Sequence, residues 1–414
     1  MRGLNVRPRS TALPELTPRS WPPSLLDVFE AHLFGGARSP LGRREPDGGL
    51  GVLPFPEPLA QVVRGLADQL GLSLDLLDEL VLARAESGVT AEVSTLAVLV
   101  RALGLPERVG ALLLAGGRGA GLDALATAAA RVGSGQRDLV LVGAAAGPWL
   151  RGAPTPSLER VDPKLEGDEA WIEDRLAADV SAWRAGLDAA ALESWARASR
   201  SRIDTTIDPG SAPWLVPMLD GSGLEVLTRD EVIPEAPESP PAPHSEAAVE
   251  RALSASPELS AGEALHQGLT MAAPMEGASA LLVGSRHGGE QAGLTERARL
   301  AGFESRGSGP GYFADGQDAV VALLDRAGIS VEDVDAWEVN ETFAAIPVAF
   351  ARGLGLSRER VNARGGCLGR GDAGAAGALA SAARLVARLE ERDGRFGVAA
   401  ALERGRATVV LVQR

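Results

Sequence analysis

The feature that most constrains this chain is a segment that occurs twice in similar form. Residues 116–132 read GGRGAGLDALATAAARV, and residues 369–386 read GRGDAGAAGALASAARLV. Each copy is a glycine-rich turn followed by a run built almost wholly of alanine, leucine and other small residues. A helix that is small and apolar on most sides is typical of one buried among other elements. The repetition therefore predicts an internal duplication that contributes one buried helix from each copy.

Alternating and helical hydrophobic patterns surround both copies. In the first part they predict strands at 28–34, 79–83, 109–114 and 139–143, a turn at Gly35–Gly36, and helices at 58–70, 92–103 and 122–132. In the second part they predict strands at 280–284, 336–339, 397–402 and 408–413, and helices at 316–327, 341–354 and 378–389. Between 151 and 233 the composition changes to tryptophan-bearing helices. These patterns predict two similar α/β halves with an inserted helical domain.

Composition excludes several classes of protein. With 41 basic and 55 acidic residues the formal charge is −14, which argues against a nucleic-acid partner. Cys367 is the sole cysteine and the four histidines are scattered, so neither an internal disulfide nor a metal site is expected. No run approaches 18 apolar residues, so no membrane span is expected. The proline-rich start lacks the apolar core of a signal peptide, which predicts a cytoplasmic protein.

Several motifs resemble those of the thiolase family, whose members make and break carbon–carbon bonds of acyl-CoA thioesters. Residues 34–43, FGGARSPLGR, are similar to the family's opening strand and RTPxGR turn. Gly121–Leu122 and the helix after them resemble the segment that follows the nucleophile. Residues 337–344, WEVNETFA, resemble the NEAF motif, and residues 361–366, VNARGG, with Gly371 resemble the VNxxGGxxxxGHPxGxSG loop.

The resemblance implies the thiolase fold, an α/β architecture with two duplicated βαβαβαββ halves in α-β-α-β-α layers and an inserted loop domain. The implied divisions begin with a flexible arm at residues 1–24. The N-terminal half covers 25–149 and 246–286, the loop domain lies between them at 150–245, and the C-terminal half covers 287–414. It also implies a dimer, because in the family the strand before the nucleophile turn pairs with its symmetry mate. The partner is expected to be a second copy or a related thiolase-fold chain.

The family's catalytic residues are largely replaced. The family places a nucleophilic cysteine three residues before the Gly-Leu pair, where this chain has Arg118. The activating histidine falls on Asp372, and the second cysteine aligns with Leu402. Asn340 alone matches its family counterpart, so Asn340 and Asp372 are the catalytic candidates. Arginine stays protonated and is neither nucleophile nor base, so acetyl-CoA acetyltransferase activity is not expected.

Other residues admit two interpretations each. Cys367 is either a displaced nucleophile or a small buried thiol. Asn340 and Glu341 either polarise a carbonyl through water or pin loops together. Tyr312 is either a general acid or a packing residue. Lys164, the sole lysine, either forms a Schiff base or points to solvent.

Two functions remain open on the sequence. The first is a subunit that has lost Claisen and thiolysis chemistry, a pseudoenzyme or scaffold that binds an acyl-CoA or a catalytic partner. The alternative is an enzyme of the same fold with altered chemistry, namely acyl transfer, decarboxylation or retro-aldol cleavage of a CoA- or carrier-bound substrate. No resident cofactor is expected, and a coenzyme A thioester is the candidate ligand. Ala272 replaces the family's pantetheine-contacting serine, which weakens the expectation of CoA binding.

A specific contact follows from the two replacements. An arginine at a helix N-terminus is disfavoured by the helix dipole, and it needs a carboxylate partner if it is buried. Asp372 is the predicted partner, in an ion pair that fills the space of an acyl group and ties the halves together. The alternative is that Arg118 turns outward to solvent or to Asp123.

Overall fold

A computed structural model describes most of the chain. The described residues are 30–44, 49–54, 56–84, 93–147, 173–203, 214–233, 241–254, 259–309 and 312–414. The predicted N-terminal arm, 1–24, and Lys164 lie outside them. No helix in these ranges is long and apolar enough to cross a membrane.

The elements follow one another in three groups. The first group is β1 (His32–Arg38), β2 (Gly42–Arg43), α1 (Glu57–Leu70), β3 (Glu79–Arg84), α2 (Val93–Ala102), β4 (Gly110–Ala115), α3 (Ala120–Gly133) and β5 (Leu139–Ala146). The middle group is α4 (Asp174–Arg184), α5 (Ala189–Ser201), β6 (Met218–Leu219) and β7 (Glu225–Leu227), which fall in the predicted insertion, and α6 (Glu246–Leu253), which follows it. The last group is β8 (Met275–Gly284), α7 (Arg286–Gln291), β9 (Ala298–Gly307), α8 (Gln317–Ala327), β10 (Ala336–Val339), α9 (Ala345–Gly353), α10 (Cys367–Arg370), α11 (Gly374–Arg392), β11 (Phe396–Glu403) and β12 (Arg406–Gln413).

The strand order confirms the duplication. One hydrogen-bonded path runs β4-β3-β5-β8-β1-β9-β12-β11-β10. In the first array, β1 pairs antiparallel with β8, and β8 pairs antiparallel with β5. β5 then pairs parallel with β3, and β3 pairs parallel with β4. From β9 outward the pairings are antiparallel, antiparallel and parallel, through β12, β11 and β10. The two arrays join where His32 and Leu33 of β1 pair with Arg299 and Ala298 of β9.

Three apolar clusters show how the layers stack. The central cluster holds α3 and α11 together with side chains from both arrays of strands. A second cluster packs α1 and α2 against the outer side of the first array. The third packs α8 and α9 against the outer side of the second array, with α4 and α5 of the insertion beyond them. This is the predicted α-β-α-β-α order.

The contact between α3 and α11 explains why both helices are so rich in small residues. A Cβ atom on Gly121 would overlap the Ala375 carbonyl and lie 2.8 Å from the Leu379 nitrogen. Any side chain at position 121 would therefore push the two helices apart. The prediction of one buried helix from each copy is confirmed.

Two predicted boundaries are wrong for steric reasons. The turn predicted at Gly35–Gly36 lies inside β1, which runs to Arg38 rather than ending at Phe34. A Cβ atom on Gly35 would lie 2.9 Å from Leu70, and one on Gly36 would lie 2.9 Å from Ala383. These glycines therefore allow helices to approach the strand on both faces, and they do not turn the chain.

Helix ends in the second half also differ from the prediction. The helix predicted from 341 begins at Ala345, because the residues before it enter the polar network described below. The helix predicted from 378 begins at Gly374, since its first turn packs against α3 and tolerates glycine there.

A buried carboxylate anchors the inserted helices to the rest of the chain. Asp179 of α4 is fully buried and accepts hydrogen bonds from His244 Nε2 and His266 Nδ1, each at 2.6 Å. The backbone nitrogens of Leu265 and His266 donate to it as well. Burial alone would raise the pKa of Asp179, but these donors lower it below the ordinary carboxyl value. His266 Nε2 in turn accepts from Ala345 N at the start of α9, at 3.2 Å.

Replacing this carboxylate is expected to loosen the insertion. Asp179→Asn places an amide donor against groups that already donate, so we expect the free energy of unfolding to fall by about 2–3 kcal/mol. Urea denaturation followed by circular dichroism measures the change. Asp325→Asn, at an exposed position of α8, is the matched control and should change stability by less than about 0.5 kcal/mol. Equal effects of the two variants would contradict an anchoring role for Asp179.

Candidate functional site

The N-terminal ends of the two central helices bring the replaced family positions together. Arg118 lies two residues before α3, and Asp372 lies two residues before α11. Arg118 Nε donates to Asp372 Oδ2 at 2.7 Å. The side chains are 30% and 8% exposed, respectively. The predicted ion pair is confirmed, and Asp123 instead pairs with Arg406 at 2.6 Å.

Asp372 is held by further donors. Thr342 Oγ1 donates to the same Oδ2 atom at 2.8 Å, and Gly374 N donates to Oδ1 at 2.8 Å. Burial by itself would raise the pKa of this carboxyl, but the charge of Arg118 and the hydrogen bonds bring it below the ordinary value. Asp372 is therefore ionised at neutral pH and is a weak base.

Asn340 faces the same network, but its amide is engaged within the protein. Its Nδ2 donates to Leu402 O at 3.1 Å and to Thr342 Oγ1 at 3.3 Å, and its Oδ1 accepts from Leu402 N at 2.7 Å. Both amide hydrogens therefore have acceptors inside the chain. A continuous series of hydrogen bonds runs from Leu402 through Asn340, Thr342 and Asp372 to Arg118. A catalytic role for Asn340 or Asp372 stays a prediction.

Glu403 belongs to the site although no sequence motif indicates it. Its carboxylate accepts from Gly119 N at the start of α3, next to Arg118. Burial raises the pKa of Glu403, and its bond to Gly119 and the charge of Arg118 offset this only in part. Gly117, at φ +63°, lets the turn pass the carboxylate, because a Cβ atom there would overlap it. The one feature of the sequence that could have indicated Glu403 is its position, one residue after Leu402.

Glu341 holds loops together. Its fully buried carboxylate accepts from Trp195 Nε1 at 3.0 Å, Ser199 Oγ at 2.5 Å and Asn362 Nδ2 at 2.7 Å. Two of these donors come from α5 of the insertion, and the third comes from the loop before α10. Burial raises the pKa of Glu341 despite these bonds. This geometry favours the loop-pinning interpretation over carbonyl polarisation.

Cys367, Tyr312 and Ala272 are the remaining positions singled out in the sequence. Burial raises the pKa of the Cys367 thiol to about 12, and the nearby charge of Asp372 adds to the effect, so the thiol is neutral. Tyr312 lies under the Arg184 guanidinium, 4.1 Å from its ring centre, in a packing role. Ala272 donates its backbone nitrogen to Thr342 O at 2.9 Å. Across the described ranges, no group of three or more histidine, cysteine or acidic side chains is placed to hold a metal.

A double-mutant cycle measures the coupling between the two sides of the site. We expect Arg118→Met and Asp372→Asn each to destabilise the protein, with a coupling energy of about 1–3 kcal/mol in urea denaturation at neutral pH. The exposed pair Arg64–Glu57 is the matched control and should couple by less than about 1 kcal/mol.

The coupling energy between Arg118 and Asp372 should also depend on pH. The folded pKa of Asp372 is lowered relative to the unfolded value of about 3.9. Its contribution to stability is therefore complete at neutral pH and is lost as the pH falls below about 4 toward the folded pKa. A coupling energy that stays constant between pH 7 and pH 3 would contradict an ionic contact.

Comparisons with known proteins agree with the fold. Residues 294–414 match the family model described as "Thiolase, C-terminal domain". The structure is similar to that of human mitochondrial 3-ketoacyl-CoA thiolase, with a TM-score of 0.75 and 18% identity over 94% of this chain and 99% of that one. It is also similar to an acetyl-CoA acetyltransferase from Syntrophomonas wolfei, with a TM-score of 0.76 and 23% identity over 94% and 100%.

Curated sequences give the same result over most of the chain. An acetyl-CoA acetyltransferase of Pseudomonas aeruginosa is 28% identical over 85% of this chain and 91% of its own length. A 3-ketoacyl-CoA thiolase of Vibrio vulnificus is 30% identical over 74% of this chain and 79% of its own length. The repeated halves, the layer order and these similarities together show that the chain belongs to the thiolase family.

Proposed function

We propose that this chain is a thiolase-family subunit that has lost Claisen and thiolysis chemistry and acts by binding an acyl-CoA or a catalytic partner. The observation that carries the proposal is the Arg118–Asp372 ion pair. It stands at the two positions where the family has its nucleophile and the base that activates it. Family membership supports a role connected with acyl-CoA, and the site chemistry supports the loss of catalysis.

The site lacks the nucleophile and the base that the thiolase reaction needs. Acyl transfer needs a thiolate, and Arg118 is a protonated guanidinium whose pKa the nearby Asp372 raises further. Proton abstraction needs a base with a pKa near the working pH, and Asp372 is well below it. The Cys367 thiol, with its pKa raised to about 12, supplies no thiolate either.

Acyl-CoA binding is supported by the exposed part of Arg118. Within the described residues its guanidinium donates only through Nε, to Asp372. The side chain is 30% exposed, so its terminal nitrogens are available to a carbonyl or a phosphate. A thioester bound there would meet a hydrogen-bond donor and no nucleophile, which suits binding without turnover.

Assembly is supported by the free edge at β4. Among the described strands β4 pairs only with β3, so it ends the sheet. Four successive apolar residues on it are only half-buried: Ala111, Leu112, Leu113 and Leu114. An apolar edge strand presents unpaired backbone groups that can pair with a strand of another chain. We propose that β4 pairs with a second copy or with a related thiolase-fold chain.

One observation favours the alternative of an enzyme with altered chemistry. Glu403 is a partly buried carboxyl with a raised pKa, beside Arg118 and the N-terminus of α3. Raised carboxyl pKa values suit general acid–base catalysis near neutral pH. In that alternative, acyl transfer, decarboxylation or retro-aldol cleavage would use Glu403 for proton transfer and Arg118 for the developing negative charge.

An activity and binding assay separates these functions. The purified chain is expected to show no thiolysis of acetoacetyl-CoA by CoA, where working enzymes turn over roughly 1 to 1,000 times per second. Calorimetric titration with acetyl-CoA should detect binding that Arg118→Met weakens. Thiol labelling at Cys367, the sole cysteine, is expected to be slow, because its raised pKa keeps the thiol neutral.

Glu403→Gln is the control for the alternative function. If any acyl-CoA is consumed and this variant abolishes consumption while binding persists, the altered-chemistry enzyme replaces the non-catalytic subunit. Thiolysis at ordinary rates would contradict both. Absence of acyl-CoA binding would leave partner binding as the remaining form of the first proposal, tested by assembly.

The assembly proposal has its own measurement. We expect a dimer at micromolar concentration by light scattering, and Leu113→Lys should shift it toward monomer because a charge would enter the apolar edge. Val321→Lys, at an exposed apolar position of α8, is the matched control and should leave the mass unchanged. A wild-type monomer, alone and when mixed with a catalytic thiolase, would contradict pairing through β4.

A further inference from the structure

A small cavity lined by three arginines among small and apolar residues lies beside the candidate site, between the two halves of the fold. Its volume is about 20 Å³, and three arginines from different elements line it: Arg38 at the end of β1, Arg370 at the end of α10, and Arg384 in α11. Cys367 lines it as well. None of the described residues that line it is acidic.

Two of the three arginines form ion pairs with carboxylates that do not line the cavity. Arg38 forms a two-pronged contact with Asp230, at 2.5 and 2.9 Å. Arg384 donates through two nitrogens to Glu338 Oε2, at 2.9 and 3.1 Å. These pairs are close to neutral as units, and they leave Arg370 as the third cation.

Arg370 has no carboxylate of its own as an ion-pair partner, although its side chain is only 10% exposed. The nearest carboxylate oxygen is Asp230 Oδ2 at 3.6 Å, on a group already bound by Arg38. Arg370 NH2 donates to the Arg364 carbonyl at 2.9 Å. Its Nε is buried and has no hydrogen-bond partner among the described residues. A buried donor without an acceptor is rare in native structures and calls for a bound ligand or water.

Nothing in the cavity wall supplies the missing negative charge. Burial lowers the pKa of Arg370 to about 10, and the neighbouring charges of Arg38 and Arg384 contribute, yet the group stays protonated at neutral pH. The Cys367 thiol is neutral. Among the groups that contact one another here, three guanidinium groups and two carboxylates leave one positive charge, and an uncompensated buried charge is costly.

We propose that this cavity binds one small monovalent anion, with chloride as the physiological species. A cavity of about 20 Å³ is on the scale of a single water molecule or halide ion. The anion would accept from Arg370 Nε and neutralise the cluster. It would also join β1 of the first half to α10 and α11 of the second.

Thermal unfolding at matched ionic strength tests the site with chloride as the probe. Each tenfold rise in free chloride above its dissociation constant should raise the folded-to-unfolded ratio about tenfold, whereas gluconate should not. Arg370→Met should remove the chloride dependence because it removes the surplus charge. Arg364→Met, in the loop before α10 and outside the cavity lining, is the matched control and should retain it.

Crystals of the wild-type protein soaked in bromide give an independent measurement. An anomalous peak within hydrogen-bond distance of Arg370 Nε is expected. An empty cavity, or a chloride dependence that survives Arg370→Met, would overturn the proposal. Equal stabilisation by sulfate would overturn the assignment to a small monovalent anion. If Arg370→Met fails to fold, the bromide peak decides alone. None of these results depends on whether the chain turns over acyl-CoA.

Discussion

The close crossing of the two central helices is the constraint on which the rest of the structure depends. At Gly121 the backbones of α3 and α11 approach so closely that a single Cβ atom would overlap a carbonyl oxygen. This crossing holds the two halves face to face between their strands. It also sets the N-terminal ends of both helices side by side, so any residue just before α3 meets the residue just before α11. The site is a consequence of this packing, whatever side chains occupy it.

The side chains at that meeting point follow from electrostatics. A helix N-terminus favours negative charge and disfavours a cation by roughly 0.3–1 kcal/mol. Arg118 is placed at such an end, and two carboxylates offset it: Asp372 directly and Glu403 through the backbone of the same turn. A thiolate would use the same field for reactivity. Here an ion pair between Arg118 and Asp372 occupies that position.

A feature of this structure can be predicted from the sequence where the local residue pattern determines it, and cannot be predicted where long-range packing determines it. The duplication and the Arg118–Asp372 pair could be predicted, because they follow from repeated residues and from one charge needing another. β9 could not, since ARLAGFESRG has few apolar residues and four of its ten residues are exposed. Gly35 and Gly36 indicate a turn locally, yet the packing of helices against β1 requires them. Glu403 has no motif, and its raised pKa exists only because the fold buries it beside α3.

The loop that carries Asp372 is held from several directions. Glu341 fixes the start of α10 to α5 of the insertion through Ser199 and the Leu368 nitrogen. Arg370 at the end of α10 reaches toward Asp230, which also binds Arg38 of β1. Arg118 then fixes Asp372 itself. Such cross-bracing suits a surface that presents a fixed shape to a ligand or partner.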